Sequence, residues 1–274
     1  MFSIDKAKFF VPFLYFIRTR IASPAKLFSW GIIYIIPTAY IAYHFYNETI
    51  SFGIFLFSFV LQAVAIYNFY EIGYIENDTE TIKNEQNPTL RLKQQDFVFY
   101  EKYKWIIYGS RVITGILVFA VLHMAKPDFA GYWQFVIAVA MLLPIYLIYN
   151  RVRNKFTLLL HFILVTIRFA SYPLLYVILN ETAVKQILPV LFVFPVINVM
   201  ERAALKRFNI RQLSFILATS TSIDKFRMIY YCLFTAIFLA IYAGTAQFGW
   251  LTILFAYFAL YRSVIVVKQN FKTS

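Results

Sequence analysis

The stretch Ile66-Tyr67-Asn68-Phe69-Tyr70-Glu71-Ile72-Gly73-Tyr74-Ile75-Glu76-Asn77-Asp78-Thr79-Glu80-Thr81-Ile82-Lys83-Asn84-Glu85, continued by Gln86-Asn87-Pro88-Thr89-Leu90-Arg91-Leu92-Lys93, decides how the chain is read. It is the polar end of a long apolar run. The chain has 13 acidic residues, and Glu71, Glu76, Asp78, Glu80 and Glu85 all fall here. If the apolar helix continues through the stretch, Asp78, Thr81 and Glu85 sit at i, i+3 and i+7 and share one face. Oxygen donors one turn apart suit a hard divalent cation, and Lys83, Arg91 and Lys93 could grip a phosphate carried by it. The plainer alternative is a solvated helix end whose acids and bases pair with one another.

Composition sets the wider frame. The 274 residues are 61% apolar and 14% charged, whereas about a quarter of a soluble domain is charged. This predicts an integral membrane protein. The apolar runs are too many for a signal peptide followed by a globular body, and residues 1–27 lack a small-x-small cleavage site. Ten-residue alternation of the outer-membrane barrel kind is absent, so the expected fold is all-α, a polytopic transmembrane helical bundle forming a single domain over 1–274.

Eight spans are expected, at 28–46, 51–76, 103–124, 129–149, 156–179, 186–203, 226–246 and 249–267, each near the thickness of the hydrocarbon core. Residues 1–27, with Lys6, Lys8, Arg18, Arg20 and Lys26 among many phenylalanines, read as an interfacial helix. With that division, 21 of the 26 Lys and Arg fall in the N-terminal segment, the loops after spans two, four and six, and the tail. The opposite side carries Lys126 and Lys185. The positive-inside rule then puts both termini and the acidic loop 77–102 in the cytoplasm of a multi-pass cell-membrane protein. It also accounts for the formal charge of +13 without nucleic acid.

The spacing Asn77-Asp78-x-x-Thr81-x-x-x-Glu85 resembles the first aspartate-rich motif of the UbiA-type intramembrane prenyltransferases, NDxxDxxxD, with Thr81 and Glu85 at its last two acidic positions. A second point of similarity is the turn Tyr146 to Thr157, with Arg151, Arg153 and Lys155, followed by Thr166-Ile167-Arg168 before Ser171. The family's second motif, DxxxD, is matched weakly by Asn198 and Glu201, with Lys206, Arg207 and Arg211 beyond them in the loop 204–225. The eight spans are one fewer than the family's usual bundle.

The resemblance implies a magnesium-dependent transferase. It would move a prenyl group from a polyprenyl diphosphate to a lipid-soluble acceptor, or a phosphoribosyl group from an activated sugar diphosphate to a polyprenyl phosphate. By the same resemblance, Asp78, Glu85 and Glu201 would be catalytic. Magnesium would be held by Asn77, Asp78 and Glu85 and by Asn198 and Glu201, and phosphate by Lys83, Arg91, Arg168 and Lys206. Because Thr81 and Asn198 stand where the family has carboxylates, the alternative is a non-catalytic lipid-binding or assembly subunit with the same bundle.

Arg168 is the span arginine that most needs a partner inside the bundle. Arg111 and Arg262 lie nearer span ends and are expected to snorkel. His44, His123 and His161 lack the pairing of a zinc site, and Cys232 is expected in a packed core.

Overall fold

A computed structural model describes all residues except 1–3, 22, 47–49, 86–87, 153, 220 and 274. The described residues form helices and turns, with no strand among them. Among the described residues seven helices are long and apolar enough to cross a membrane, which makes this a multi-pass membrane protein. The chain divides into two compact units, Met1–Arg153 with Ile167–Leu179, and Asn154–Thr166 with Asn180–Ser274.

The first unit opens with a tight 3-10 helix at Ile4–Phe9 and the short α1 (Leu14–Arg20). The segment expected as one interfacial helix is therefore broken. Phe13, at φ 68°, takes a left-handed turn just before α1, and its ring stacks on Tyr67 at 4.5 Å. Phe9 and Tyr15 are fully buried, so the segment is packed into the unit.

After it come α2 (Pro24–Trp30) and α3 (Ile36–His44), joined through the wide turn Gly31–Ile35 into one 21-residue apolar rod. Next is α4 (Phe52–Thr79), started by Ser51, whose side chain accepts from the Ile54 N–H. The long α5 (Gln94–Ala125) begins where Asp96 accepts from the Lys93 N–H at 3.1 Å. That cap shortens the expected 77–102 loop to the residues between Thr79 and Gln94. Helices α6 (Tyr132–Ala140) and α7 (Leu142–Arg151) together form a single 20-residue span. Gly73 lets α4 and α7 approach closely: a β carbon there would lie 2.2 Å from the Tyr146 ring.

The fifth expected span is shorter than anticipated. Helix α8 (Phe156–Ala170) has 15 residues, about 22 Å at 1.5 Å per residue. It stops before Pro173, which starts a 3-10 turn at Pro173–Leu175.

In the second unit the expected 186–203 span is a 23-residue apolar segment, Glu181–Ala203. It is broken at Pro189 and Pro195 into α9 (Glu181–Ile187), α10 (Val190–Val193) and α11 (Pro195–Ala203). Helices α12 (Ser222–Thr245) and α13 (Gly249–Thr273) follow, linked by a tight turn in which Ala246 and Phe248 have positive φ. Aromatic pairs such as Tyr231–Phe258 at 4.7 Å and Phe238–Phe255 at 5.2 Å fill the seam between them. Asp224 accepts from Arg262 at 3.2 Å and Gln269 at 2.8 Å, so Arg262 is buried and paired and does not snorkel. Cys232 is exposed on α12 and is no core thiol.

Candidate functional site

Helix α4 ends at Thr79, whose hydroxyl turns back to the Ile75 carbonyl at 2.7 Å. Thr81–Asn84 tightens into a 3-10 turn and Glu85 is extended. The expected common face of Asp78, Thr81 and Glu85 therefore does not form, because the α-helical period it depends on stops after Thr79.

Asp78 is 1% exposed and its oxygens are taken. Its Oδ1 accepts from Arg20 at 2.9 Å, Arg91 at 3.2 Å and Asn77 at 3.2 Å, and its Oδ2 from the Tyr15 hydroxyl at 3.1 Å. One carboxylate thus faces two guanidinium groups. Burial and the charge of Asp78 push the Tyr15 hydroxyl far above the ordinary tyrosine range, so it stays a donor. Burial disfavours the charged Arg20, yet the charge and hydrogen bond of Asp78 outweigh it and raise the guanidinium above its usual value.

The other expected residues of the first unit lie apart from this knot. Lys83 pairs with Glu80 at 2.9 Å and Glu101 at 2.6 Å on the surface. Glu80 is further engaged by Lys104 and by the Tyr100 hydroxyl. Glu85 is half-buried on the loop beyond. In the second unit, Asn198 donates to its own helix at the Phe194 carbonyl, 2.7 Å away, and Glu201 is held in a fork by Arg227 at 2.5 and 2.7 Å. Lys206 is exposed on a 3-10 turn. Arg153 of the Tyr and Lys/Arg turn lies outside the described residues.

These donors do not fit a divalent cation. No group of three or more His, Cys, Asp or Glu side chains among the described residues is arranged to hold a metal. A cation at Asp78 would lie against Arg20 and Arg91, whose repulsion it would have to overcome with one carboxylate.

Arg168 is different. Its guanidinium carbon lies 4.7 Å from the centre of the Tyr70 ring, 4.8 Å from Tyr67 and 5.2 Å from Phe169. It donates to the Tyr67 hydroxyl and, at 3.4 Å, to Tyr74. The groups that act on its charge are Tyr67, Tyr74 and Tyr70, no carboxylate among the described residues pairs with it, and its Nε is buried without a partner. The Trp30 Nε1–H is turned to the Tyr67 hydroxyl, and the two rings meet at 5.6 Å. The aromatic cluster therefore holds a positive charge with no carboxylate beside it and one unused donor, the Arg168 Nε–H. Tyr67 stands twelve residues before the end of α4, about 18 Å along the axis.

A further polar centre was hidden in the sequence. Arg111 is fully buried, contrary to the expected snorkelling. It bonds Glu71 at 2.8 Å and the carbonyls of Phe9, Lys8 and Val11 at 2.9, 3.0 and 3.2 Å. Glu71 also accepts from the Phe16 N–H at 2.7 Å. The two charges thus neutralise each other and seat the N-terminal segment. The available signal was one charge of each sign inside neighbouring spans.

Comparison with protein-family models, with curated proteins and with solved structures finds no match.

Proposed function

We propose that the chain is a lipid-binding membrane bundle of the UbiA-like kind, which holds the phosphate or diphosphate head of a polyprenyl amphiphile against Arg168 without a resident magnesium ion. One observation carries this reading: Arg168 sits in a cage of tyrosine and phenylalanine rings with no carboxylate and an unused Nε donor. A charge at that depth is costly unless something neutralises it. An anionic head would do so, and the aromatic walls suit the first isoprene units of the tail. Asp78 then serves to tie Arg20 and Arg91 together, and through them the N-terminal segment and the loop before α5.

The test is binding of geranylgeranyl diphosphate, the monophosphate and the alcohol to purified protein, with and without a chelator. The phosphorylated forms should bind at least tenfold more tightly than the alcohol. Arg168→Gln should remove that difference, and chelation should leave it unchanged. Equal binding of the alcohol would sink the reading.

A second reading is transfer of the prenyl or phosphoribosyl group to a lipid-soluble acceptor. It is favoured by the Asn77-Asp78 pair at the polar end of α4. It requires that labelled donor give a labelled lipid product and that chelation abolish both binding and product.

A further inference from the structure

A cavity of the first unit, of about 370 Å³, opens between α4, α5 and α7. Its walls are apolar, formed by Ile72, Val112, Leu143 and Leu147, and its rim carries Glu76, Glu80, Lys104 and Arg151 beside Trp105 and Tyr108. The volume is that of a small-molecule site. An apolar shaft below a ring of mixed charge is the shape of an amphiphile site.

The rim's charges are unequally used. Glu80 and Lys104 pair with each other. Glu76 and Arg151 line the same opening without forming an ion pair, although each lies in the other's field. The Glu76 Oε2 is buried with no hydrogen-bond partner within 3.5 Å, because the Asn150 amide beside it is given to the Gly73 carbonyl at 3.1 Å. A buried carboxylate oxygen without a donor costs free energy, and a ligand that brings one recovers it. Arg151 is exposed at the end of α7. The site thus presents one acceptor in need of a donor and, across the rim, one exposed cation.

We propose that this cavity binds a zwitterionic phospholipid with a primary-amine headgroup. The ammonium donates to Glu76, the phosphate meets Arg151, and acyl chain fills the apolar shaft. Charge complementarity selects the class: the rim holds two acids and two bases, so a zwitterion keeps it neutral whereas an anionic lipid leaves a surplus charge. Hydrogen bonding selects within the class. A quaternary ammonium has no N–H to give to Oε2, although Trp105 and Tyr108 would attract its charge equally well.

The experiment reads retention of defined lipids by native mass spectrometry of the full chain in detergent, using phosphatidylethanolamine, its N-methyl and N,N-dimethyl forms, phosphatidylcholine and phosphatidylglycerol of one acyl composition. The first three should be retained, and loss of the last N–H, from dimethyl to choline, should weaken retention roughly tenfold or more, as expected for a hydrogen bond to a charged acceptor. Phosphatidylglycerol should be retained no better than phosphatidylcholine. Glu76→Gln should erase the preference for ethanolamine over choline, and Arg151→Gln should weaken both zwitterions equally. The methylation series needs only wild-type protein, so it decides the matter even if Glu76→Gln fails to fold. Equal retention across the series overturns the proposal, and so does a Glu76→Gln variant that keeps the preference.

Discussion

The Arg111 Nη1 lies 2.8 Å from the Glu71 Oε2, with both side chains fully buried, and this one pair fixes the N-terminal segment to α4 and α5. Three backbone carbonyls of the segment accept from Arg111 and one N–H is given to Glu71. Isolated, either charge would be expensive at such depth. Together, with the backbone groups completing their hydrogen bonding, they make a neutral anchor.

Breaking that anchor should be costly. Glu71→Gln leaves Arg111 buried without a counter-charge, a change worth about 3–5 kcal/mol. The double change Glu71→Met with Arg111→Met should cost less in stability, because no lone charge remains, but it should still free the segment. Thermal unfolding in detergent reads the first effect, and trypsin cleavage at Arg18 and Arg20 reads the second. A Glu71→Gln variant as stable as wild type, with the segment still protected, would contradict the anchor.

Asp78 gives a prediction whose sign separates two roles. As the counter-charge of Arg20 and Arg91, its removal releases two guanidinium groups, so Asp78→Asn should bind inorganic phosphate or diphosphate more tightly, by a few-fold to tenfold, without magnesium. As a metal ligand, its removal should instead abolish a magnesium-dependent affinity. Isothermal titration with diphosphate, with and without magnesium, distinguishes the two. The same variant should loosen the N-terminal segment, since the Tyr15 and Arg20 side chains both lose charge-assisted bonds.

Glycine offers a paired test of packing. Gly73→Ala would place a methyl group 2.2 Å from the Tyr146 ring, between two packed helices, and should destabilise by about 1–3 kcal/mol. Gly109→Ala on α5 meets nothing within 4 Å and removes a helix-breaking residue, so it should be neutral or stabilising by up to about 1 kcal/mol. The thermal midpoint should fall for Gly73→Ala and hold or rise for Gly109→Ala. Equal shifts would mean that α4 and α7 are not closely packed at Gly73.

Much of the helical layout could be read from the chain, because apolar runs of membrane length leave few alternatives. Seven of the eight expected spans coincide with an apolar segment of spanning length, and the exception has a local cause in Ser171-Tyr172-Pro173. Placing the polar residues was harder. A shared face for Asp78, Thr81 and Glu85 needs a continuing helix, whereas the chain tightens into a 3-10 turn at Thr81–Asn84. Counting Glu71 with the acidic stretch hid its pairing with Arg111, forty residues away, which periodicity along one helix cannot register. Nor could spacing foretell that Tyr15 and Arg20 would come to Asp78, since that depends on the left-handed turn at Phe13. Arg168 was identifiable from cost alone: an arginine flanked by apolar residues must face something polarisable. Its tyrosines came from α4, where they looked like ordinary packing.

The connection between α4 and α5 carries Lys83, Arg91 and Lys93 against Lys126 in the connection between α5 and α6, and this bias makes a prediction of orientation independent of any ligand. Lys126 and Asp128 sit in the connection between α5 and α6, paired at 2.7 Å with Asp128 mostly exposed. Glu85 sits in the connection between α4 and α5. Since α5 separates these two connections and is long enough to span, they should lie on opposite faces of the bilayer. Insertion keeps lysine- and arginine-rich loops in the cytoplasm, so the Glu85 face should be the cytoplasmic one. Cys232 should first be replaced by serine, as its thiol is exposed. In that background, Glu85→Cys should react with a membrane-impermeant maleimide only after the cells are opened, and Asp128→Cys should react in intact cells. The reverse pattern would invert the topology, and it would move the Asp78 knot and the rim of Glu76 and Arg151 to the outer face. Labelling of both positions from one side would show that α5 does not cross the membrane.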